Sequence, residues 1–235
     1  MRAFILAGGL GTRLQSIVSD RPKPLAEIGG KPFLEHQLVI LKEHQIREFV
    51  LCVGYLHEQI IEHFGDGSRW DVEIEYSIEE HPLGTGGAVK HAERFVDGTF
   101  LVFNGDTHFK CDLSRLIQSH QRLVNETKCL ATIALTKVGN PSRYGTVELD
   151  DDGMIVDFTE KSGNPVSQYI SAGVYAMEPS LLQRIPTEKK VSLELDTFPK
   201  FVSEERSLAG CLLEGFFIDI GTPEDFVRFQ NYNGN

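Results

Sequence analysis

The stretch Leu6-Ala7-Gly8-Gly9-Leu10-Gly11-Thr12-Arg13-Leu14 stands directly behind a short apolar run, Arg2 to Leu6. Such a run ending in glycine reads as a buried strand that passes into a loop. Glycines at 8, 9 and 11 let the backbone come close to a ligand. Inward-turned N–H groups of a loop of this kind bind phosphate. Two familiar phosphate loops do not fit. A dinucleotide fingerprint needs a third glycine where Leu14 stands, and no Asp or Glu follows the second strand at Gly54-Tyr55. A Walker loop needs Gly-Lys-Ser/Thr, whereas Gly11 is followed by Thr12-Arg13. Taken alone, the loop is equally well a tight turn.

Two cations shift that balance. Arg13 is followed, ten residues on, by Lys23 in Pro22-Lys23-Pro24. The prolines stiffen the segment and are expected to hold Lys23 extended. Arg13 offers a planar fork to phosphate oxygens and Lys23 a point charge. A glycine loop with both cations reads as one anion site.

Outward from this loop, strands and helices alternate. Glu48 to Val53, Thr99 to Phe103 and Leu130 to Leu135 read as apolar strands, and Val72 to Tyr76 alternates as an edge strand would. Helices are expected over Pro32 to His44, Leu56 to Phe64, Gly86 to Phe95 and Asp112 to Val124. Strands apolar nearly throughout argue for a mostly parallel sheet covered on both faces. Beyond residue 135 the pattern changes. Thr146 to Leu149 and Met154 to Phe158 flank Asp150-Asp151-Asp152-Gly153, a hairpin signal that lacks the spaced ligands of a calcium loop. Tyr169 to Tyr175 and Gly215 to Ile220 read as strands, and Pro179 to Arg184 and Leu193 to Ser203 as helices. Pro223 to Gln230 reads as a terminal helix opened by Thr222. With no repeat and no clear linker, one domain over 1–235 is expected.

Composition narrows the partners. The 235 residues are 41% hydrophobic and 24% charged, which suits a folded chain. The net charge of -11 repels nucleic acid and anionic membrane surfaces, so neither is an expected partner. It would also repel a nucleotide, so anion binding requires a concentrated local site. No apolar run approaches the roughly 20 residues that span a bilayer, and no signal peptide is legible, so a cytoplasmic location is expected. Cys52, Cys111, Cys129 and Cys211 form no Cys-x-x-Cys pair, which argues against a disulfide framework or a structural zinc site.

Leu6 to Arg13 with Pro22-Lys23-Pro24 resembles the signature of the sugar-1-phosphate nucleotidylyltransferases. The resemblance continues in Pro82-Leu83-Gly84-Thr85-Gly86-Gly87, Asn104-Gly105-Asp106, Glu160-Lys161, Ser171-Ala172-Gly173-Val174-Tyr175 and Phe217-Ile218-Asp219-Ile220-Gly221-Thr222-Pro223. Six matches in the family's order cover nearly the whole chain. The segment Leu14 to Arg21, with Lys31 to Leu34 and Glu79 to Gly87, is most similar to the D-glycero-D-manno-heptose 1-phosphate guanylyltransferases. Glucose, mannose and N-acetylmuramate 1-phosphate, and triphosphates other than GTP, stay open.

The resemblance implies a three-layer, Rossmann-like α/β nucleotidyltransferase fold, with a mixed, mostly parallel sheet and helices on both faces. It implies a nucleotide-binding half to about residue 135 and a sugar-phosphate-binding half over 136–235. The implied reaction is in-line attack of a sugar 1-phosphate on the α-phosphate of a nucleoside triphosphate. Such chemistry needs positioning and charge neutralisation more than a covalent intermediate. The resemblance makes Arg13 and Lys23 catalytic. It assigns the nucleotide to Leu6, Gly8, Gly9, Gly11, Thr12, Glu79, Gly84 and Thr85, and the sugar phosphate to Gly145, Glu160, Lys161, Ser171 and Gly173. Many relatives carry Asn where Ser171 stands. Asp106 and Asp219 would bind Mg²⁺. Each residue has a plainer reading: a helix cap for Asp106, a buried ion pair for Asp219, a solvated charge for Glu79. Glu194 is a further sugar contact or an ordinary surface helix residue. A homo-oligomer is compatible with all of this. A metal-dependent glycosyltransferase is the rival enzyme, but Asp106-Thr107-His108 breaks the Asp-x-Asp it would want.

Overall fold

The structure, a computed structural model, describes residues 1–11, 14, 18, 20–160 and 165–232. The strands are β1 (Ala3–Ala7), β2 (Glu27–Ile28), β3 (Lys31–Pro32), β4 (Glu48–Val53), β5 (Glu73–Ile78), β6 (Phe100–Asn104) and β7 (Thr107–Cys111). Then follow β8 (Ala131–Lys137), β9 (Thr146–Leu149), β10 (Ile155–Thr159), β11 (Tyr169–Met177), β12 (Leu208–Leu212) and β13 (Gly215–Asp219). The helices are α1 (Phe33–Glu43), α2 (His57–Phe64), α3 (Gly84–His91), α4 (Leu113–Glu126), α5 (Phe198–Lys200) and α6 (Pro223–Gln230). Turns of π-helix, Leu193–Thr197 and Phe201–Glu205, flank α5.

The central sheet runs β12-β8-β11-β6-β1-β4-β5, with the β9–β10 hairpin attached to the first half of β11. β1 lies parallel to β4 and β6, β4 to β5, and β8 to β12. Only β11 reverses direction within that run, pairing antiparallel with β6 and β8. The alternation of side chains along β1 explains the three layers. Ala3, Ile5 and Ala7 enter one core with Leu34, Leu38, Ile60 and Leu116 of the helices on that face. Phe4 enters the other, with Val89, Leu181 and Phe198. The expected α/β architecture is therefore present, with β5 at the edge.

Four elements depart from the sequence expectations. β7 follows β6 after only Gly105-Asp106, in a segment to which the sequence reading assigns no element, and it pairs with β13 as a separate antiparallel ribbon. β12 contains Gly210, a residue unfavourable in strands. A Cβ there would meet Leu135 Cδ1 at 2.5 Å and Leu149 Cδ2 at 2.6 Å, so a larger residue would have to displace those two side chains. Lys23 is not extended but opens a 3-10 turn, Lys23–Leu25, closed by Leu25 N–H to Pro22 O and Ala26 N–H to Lys23 O. The expected helix from Gly86 begins at Gly84 and ends at His91. Two local expectations hold. Thr222 caps α6 by accepting from Asp225 N–H. Asp150 Oδ1 accepts from Asp152 and Met154 N–H around Gly153 at φ +80°, which makes that acidic run a turn. All four cysteines are free and buried. Among the described residues no helix is long and apolar enough to cross a membrane.

One irregularity interrupts β11. The β11–β8 register shifts between Ser171 and Tyr175, around Gly173 at φ +66°. A Cβ at Gly173 would also lie 2.8 Å from Asn104 Nδ2. An L residue held in the left-handed region costs about 1–2 kcal/mol. Gly173→Ala is therefore expected to lower the unfolding free energy by at least that much, read as a fall in the urea midpoint at unchanged slope.

Candidate active site

The parallel strands β1, β4, β5 and β6 all end on one edge of the sheet, the edge where such sheets place their ligands. Two adjoining clefts among those that open there hold the expected residues. The first, about 370 Å³, is lined by Leu6, Gly8, Gly9, Gly11, Lys23, Glu79, Gly84, Thr85 and Asp106. The second, about 280 Å³, is lined by Gly145, Glu160, Ser171, Gly173, Glu194, Asp219 and again Asp106. Thr85, Asn104 and Asp106 line both. Residues expected to bind the two substrates thus separate into two cavities that share a wall. Thr12, Arg13 and Lys161 lie outside the described residues.

Close backbone approach builds the first cleft. Gly105 N–H donates to Leu6 O at 3.0 Å, and a Cβ on Gly105 would sit 2.4 Å from that oxygen. Gly8 is small for a similar reason: a Cβ would meet Glu79 Oε1 at 2.6 Å. Gly11 has φ +59° and faces the Lys23 side chain. Lys23 Nζ donates to Asp106 Oδ2 at 2.8 Å, with the lysine side chain only 11% exposed. This pairing neutralises a carboxylate that the end of a buried strand would otherwise disfavour.

Glu79, behind β5, is half-buried, and its Oε2 accepts from Leu83 N–H at 2.9 Å. Burial raises its pKa above the ordinary carboxylate value, against the lowering effect of that backbone donor. The glycines after Pro82 serve a purpose the sequence does not announce. A Cβ on Gly84 would meet Val191 O at 2.6 Å, and one on Gly87 would meet Lys189 O at 2.6 Å. Gly86 and Gly87 N–H both donate to Val191 O. They make room for the 189–191 backbone.

The second cleft joins distant segments. Asp219 ends β13, paired with Thr107 of β7, and Ile220 N–H donates to Asp106 O at 2.9 Å. The two carboxylates therefore come from adjacent ends of one ribbon. Asp219 Oδ1 accepts from Gly221 N–H at 2.7 Å. Glu160 lies over Gly145, where a Cβ would stand 2.6 Å from its Oε2. The bulge at Gly173 lets Ser171 and Tyr175 both line this cavity. His108, next to this ribbon's start, is buried and held neutral, its pKa lowered to about 4 by desolvation.

Several lining residues carry weak sequence signals. Lys190 lines the first cleft. It stands beside Lys189, two residues before Ser192-Leu193-Glu194, and only that proximity could have drawn attention to it. Asn104 lies within the Asn-Gly-Asp match but reads there as spacing. Tyr144 and Phe217, in edge contact at 5.4 Å, wall the second cleft and look like ordinary apolar residues in sequence. Glu194 does line the cavity.

Two carboxylates beside a cleft with a lysine ammonium already at one of them form a hard oxygen donor set. It fits a divalent cation whose remaining ligands come from phosphate. The described residues hold no group of three His, Cys, Asp or Glu that could bind a metal unaided.

The family model described as nucleotidyl transferase matches residues 2–233. The chain belongs to the nucleotidyl transferase family and is an enzyme of that class. It is 41% identical to D-glycero-alpha-D-manno-heptose 1-phosphate guanylyltransferase of Campylobacter jejuni, over 97% of this chain and 98% of that one. It is 37% identical to mannose-1-phosphate guanylyltransferase of Mycobacterium tuberculosis, over 96% of this chain and 62% of that longer relative. Among solved structures, HddC from Yersinia pseudotuberculosis complexed with GMP-PN superposes at a TM-score of 0.83. That likeness has 33% identity and covers 97% of each chain.

The raised pKa of Glu79 has a consequence for stability. A carboxyl whose folded pKa exceeds its unfolded value favours the fold below the unfolded value, and this contribution is lost as pH rises through the folded one. Glu79→Gln is thus expected to unfold at a urea midpoint close to wild type at pH 4 and above it at pH 8. A pH-independent difference would remove the desolvated carboxyl as the cause.

Proposed function

We propose that the protein transfers a guanylyl group from GTP to D-glycero-D-manno-heptose 1-phosphate, releasing pyrophosphate and forming a GDP-sugar. The observation that carries this reading is the pair of clefts sharing Asp106, with Lys23 bonded to it and Asp219 on the far side. A triphosphate in the first cleft and a sugar phosphate in the second would bring their phosphates together at that wall. Holding the two reactants in line supplies much of the acceleration.

The base assignment rests on Glu79. A half-buried carboxylate with one backbone donor gains from further donors. Guanine offers N1–H and N2–H on one edge, whereas uracil and thymine offer one N–H. The Yersinia relative's structure with GMP-PN and the Campylobacter relative's name support GTP and heptose phosphate. The Mycobacterium relative keeps mannose 1-phosphate as the second reading.

In the proposed mechanism the glycine loop, Gly8 to Gly11, and Lys23 bind the triphosphate, and Arg13 and Thr12 complete that loop. Gly84 and Thr85 flank the base and Leu6 the ribose. Glu160, Gly145, Ser171 and Gly173 orient the sugar, and Lys161 holds its phosphate. Asp106 and Asp219 would hold Mg²⁺, which when bound neutralises charge on the α-phosphate and the attacking phosphate. On substrate entry Lys23 would turn from Asp106 to the phosphates, a change of partner that keeps its charge compensated. Neither a Ser nor a Cys nucleophile is needed. The roles of these residues, a cytoplasmic setting and a single domain over 1–235 all belong to this proposal.

The deciding experiment measures pyrophosphate release with Mg²⁺ for each of GTP, UTP, CTP and dTTP against heptose, mannose, glucose and N-acetylmuramate 1-phosphates. Release is expected to be fastest with GTP and the heptose, and to require both substrates. Nucleotide release from a nucleotide sugar only when an acceptor is present would instead indicate a glycosyltransferase. Asp219→Asn is expected to fold normally by circular dichroism and to lower turnover at least about a hundredfold through lost charge stabilisation. Near-normal turnover would remove Asp219 from the reaction.

A further inference from the structure

Thr85 is the second residue of α3, where the helix follows the loop proposed to flank the base, yet its hydroxyl is occupied elsewhere. Thr85 Oγ1 accepts from Leu193 N–H at 2.8 Å and donates to Glu194 Oε2 at 2.7 Å. A hydroxyl has a single proton to donate, so Thr85 has none left for the base. Glu194 receives two further donors. Ser192 Oγ reaches the same Oε2 at 2.9 Å, and the fully buried Tyr175 OH reaches Oε1 at 3.0 Å. A carboxylate offers about four acceptor positions, and these three bonds leave one on Oε1. Glu194 and Tyr175 both line the second cleft. Beneath the side chains, Val191 N–H donates to Leu83 O at 2.8 Å and Gly86 N–H to Val191 O at 2.9 Å. The base loop and the segment bearing Glu194 are therefore bonded through backbone and side chain alike.

We infer that Thr85 is a positioning residue for the sugar cleft: it fixes the Glu194 carboxylate so that Oε1 meets a sugar hydroxyl, and so sets sugar affinity from within the base loop. This rests on the proposed two-cleft reaction. It differs from the base contact that the sequence pattern assigns to Thr85. Charge-assisted hydrogen bonds are the strong ones, so loosening this carboxylate acts on sugar binding while the base keeps its own partners.

The test is steady-state kinetics with GTP, Mg²⁺ and D-glycero-D-manno-heptose 1-phosphate, with mannose 1-phosphate as the alternate probe. Thr85→Val is expected to raise the KM for the sugar phosphate about tenfold and the KM for GTP less than twofold. Thr85→Ser, which keeps the hydroxyl, is expected to restore the sugar KM. In a Thr85→Val/Glu194→Gln double variant the effects should not add, because both act on one carboxylate. Ser192→Ala removes another donor to Oε2 without touching the base loop and should give the same split. It keeps the inference testable if Thr85→Val does not fold. A raised GTP KM with an unchanged sugar KM, failure of Thr85→Ser to rescue, or fully additive effects would overturn the inference while leaving the reaction intact. A wild-type protein that turns over no sugar 1-phosphate would overturn the reaction itself, and the inference with it.

Discussion

The close approach of β6 to β1 is the constraint on which the rest of the site depends. Gly105 lies against Leu6 O at a distance no side chain would allow. That contact sets the end of β6 beside the start of the glycine loop. It places Asp106 where Lys23, arriving on its proline-flanked turn, can bond to it. It also fixes where β7 begins, because only Gly105 and Asp106 separate the two strands. β13 then follows β7 in register and delivers Asp219 to the same place. One missing Cβ thus underlies the loop, the ion pair and the second carboxylate.

Elements whose character is written locally are legible in the sequence. β4, with its uninterrupted apolar run, and α6, with Thr222 ahead of Pro223, need no tertiary information. The order of motifs is enough to draw Lys23, Asp106 and Asp219 toward one site. What escapes is what depends on partners far along the chain. Glu194 bonds to a residue 109 positions away. The glycines of Gly84 to Gly87 answer to a backbone segment about a hundred residues later as much as to any ligand. β7 and β12 carry no strong strand pattern of their own. They form because β13 and β8 present unpaired edges to them. The conformation of Lys23 escapes too: the proline after it favours an extended backbone, and the hydrogen bonds that close the turn across three residues override that preference.

The charge of -11 takes a different meaning with the site in view. Lys23 and Lys190 line the first cleft, while much of the acidic excess stands at exposed positions such as Glu73, Glu75 and Asp151. The surface field discourages polyanions in general, and the cleft offers its cations at short range, where screening by salt is weakest.

The β7–β13 ribbon stands outside the nine-stranded sheet. Its outer side rests on an aromatic group in which Phe216 stacks on Tyr232 at 3.6 Å and His108 lies 4.5 Å from Phe229. The small group is not the ribbon's sole support. Phe109, Cys111 and, at its margin, Phe217 pack into one of the two large cores, while Ile218 and Phe216 join the small group. Where Asp219 stands is thus set from two sides, by the sheet's own core and by the rings of α6 and the residues after it.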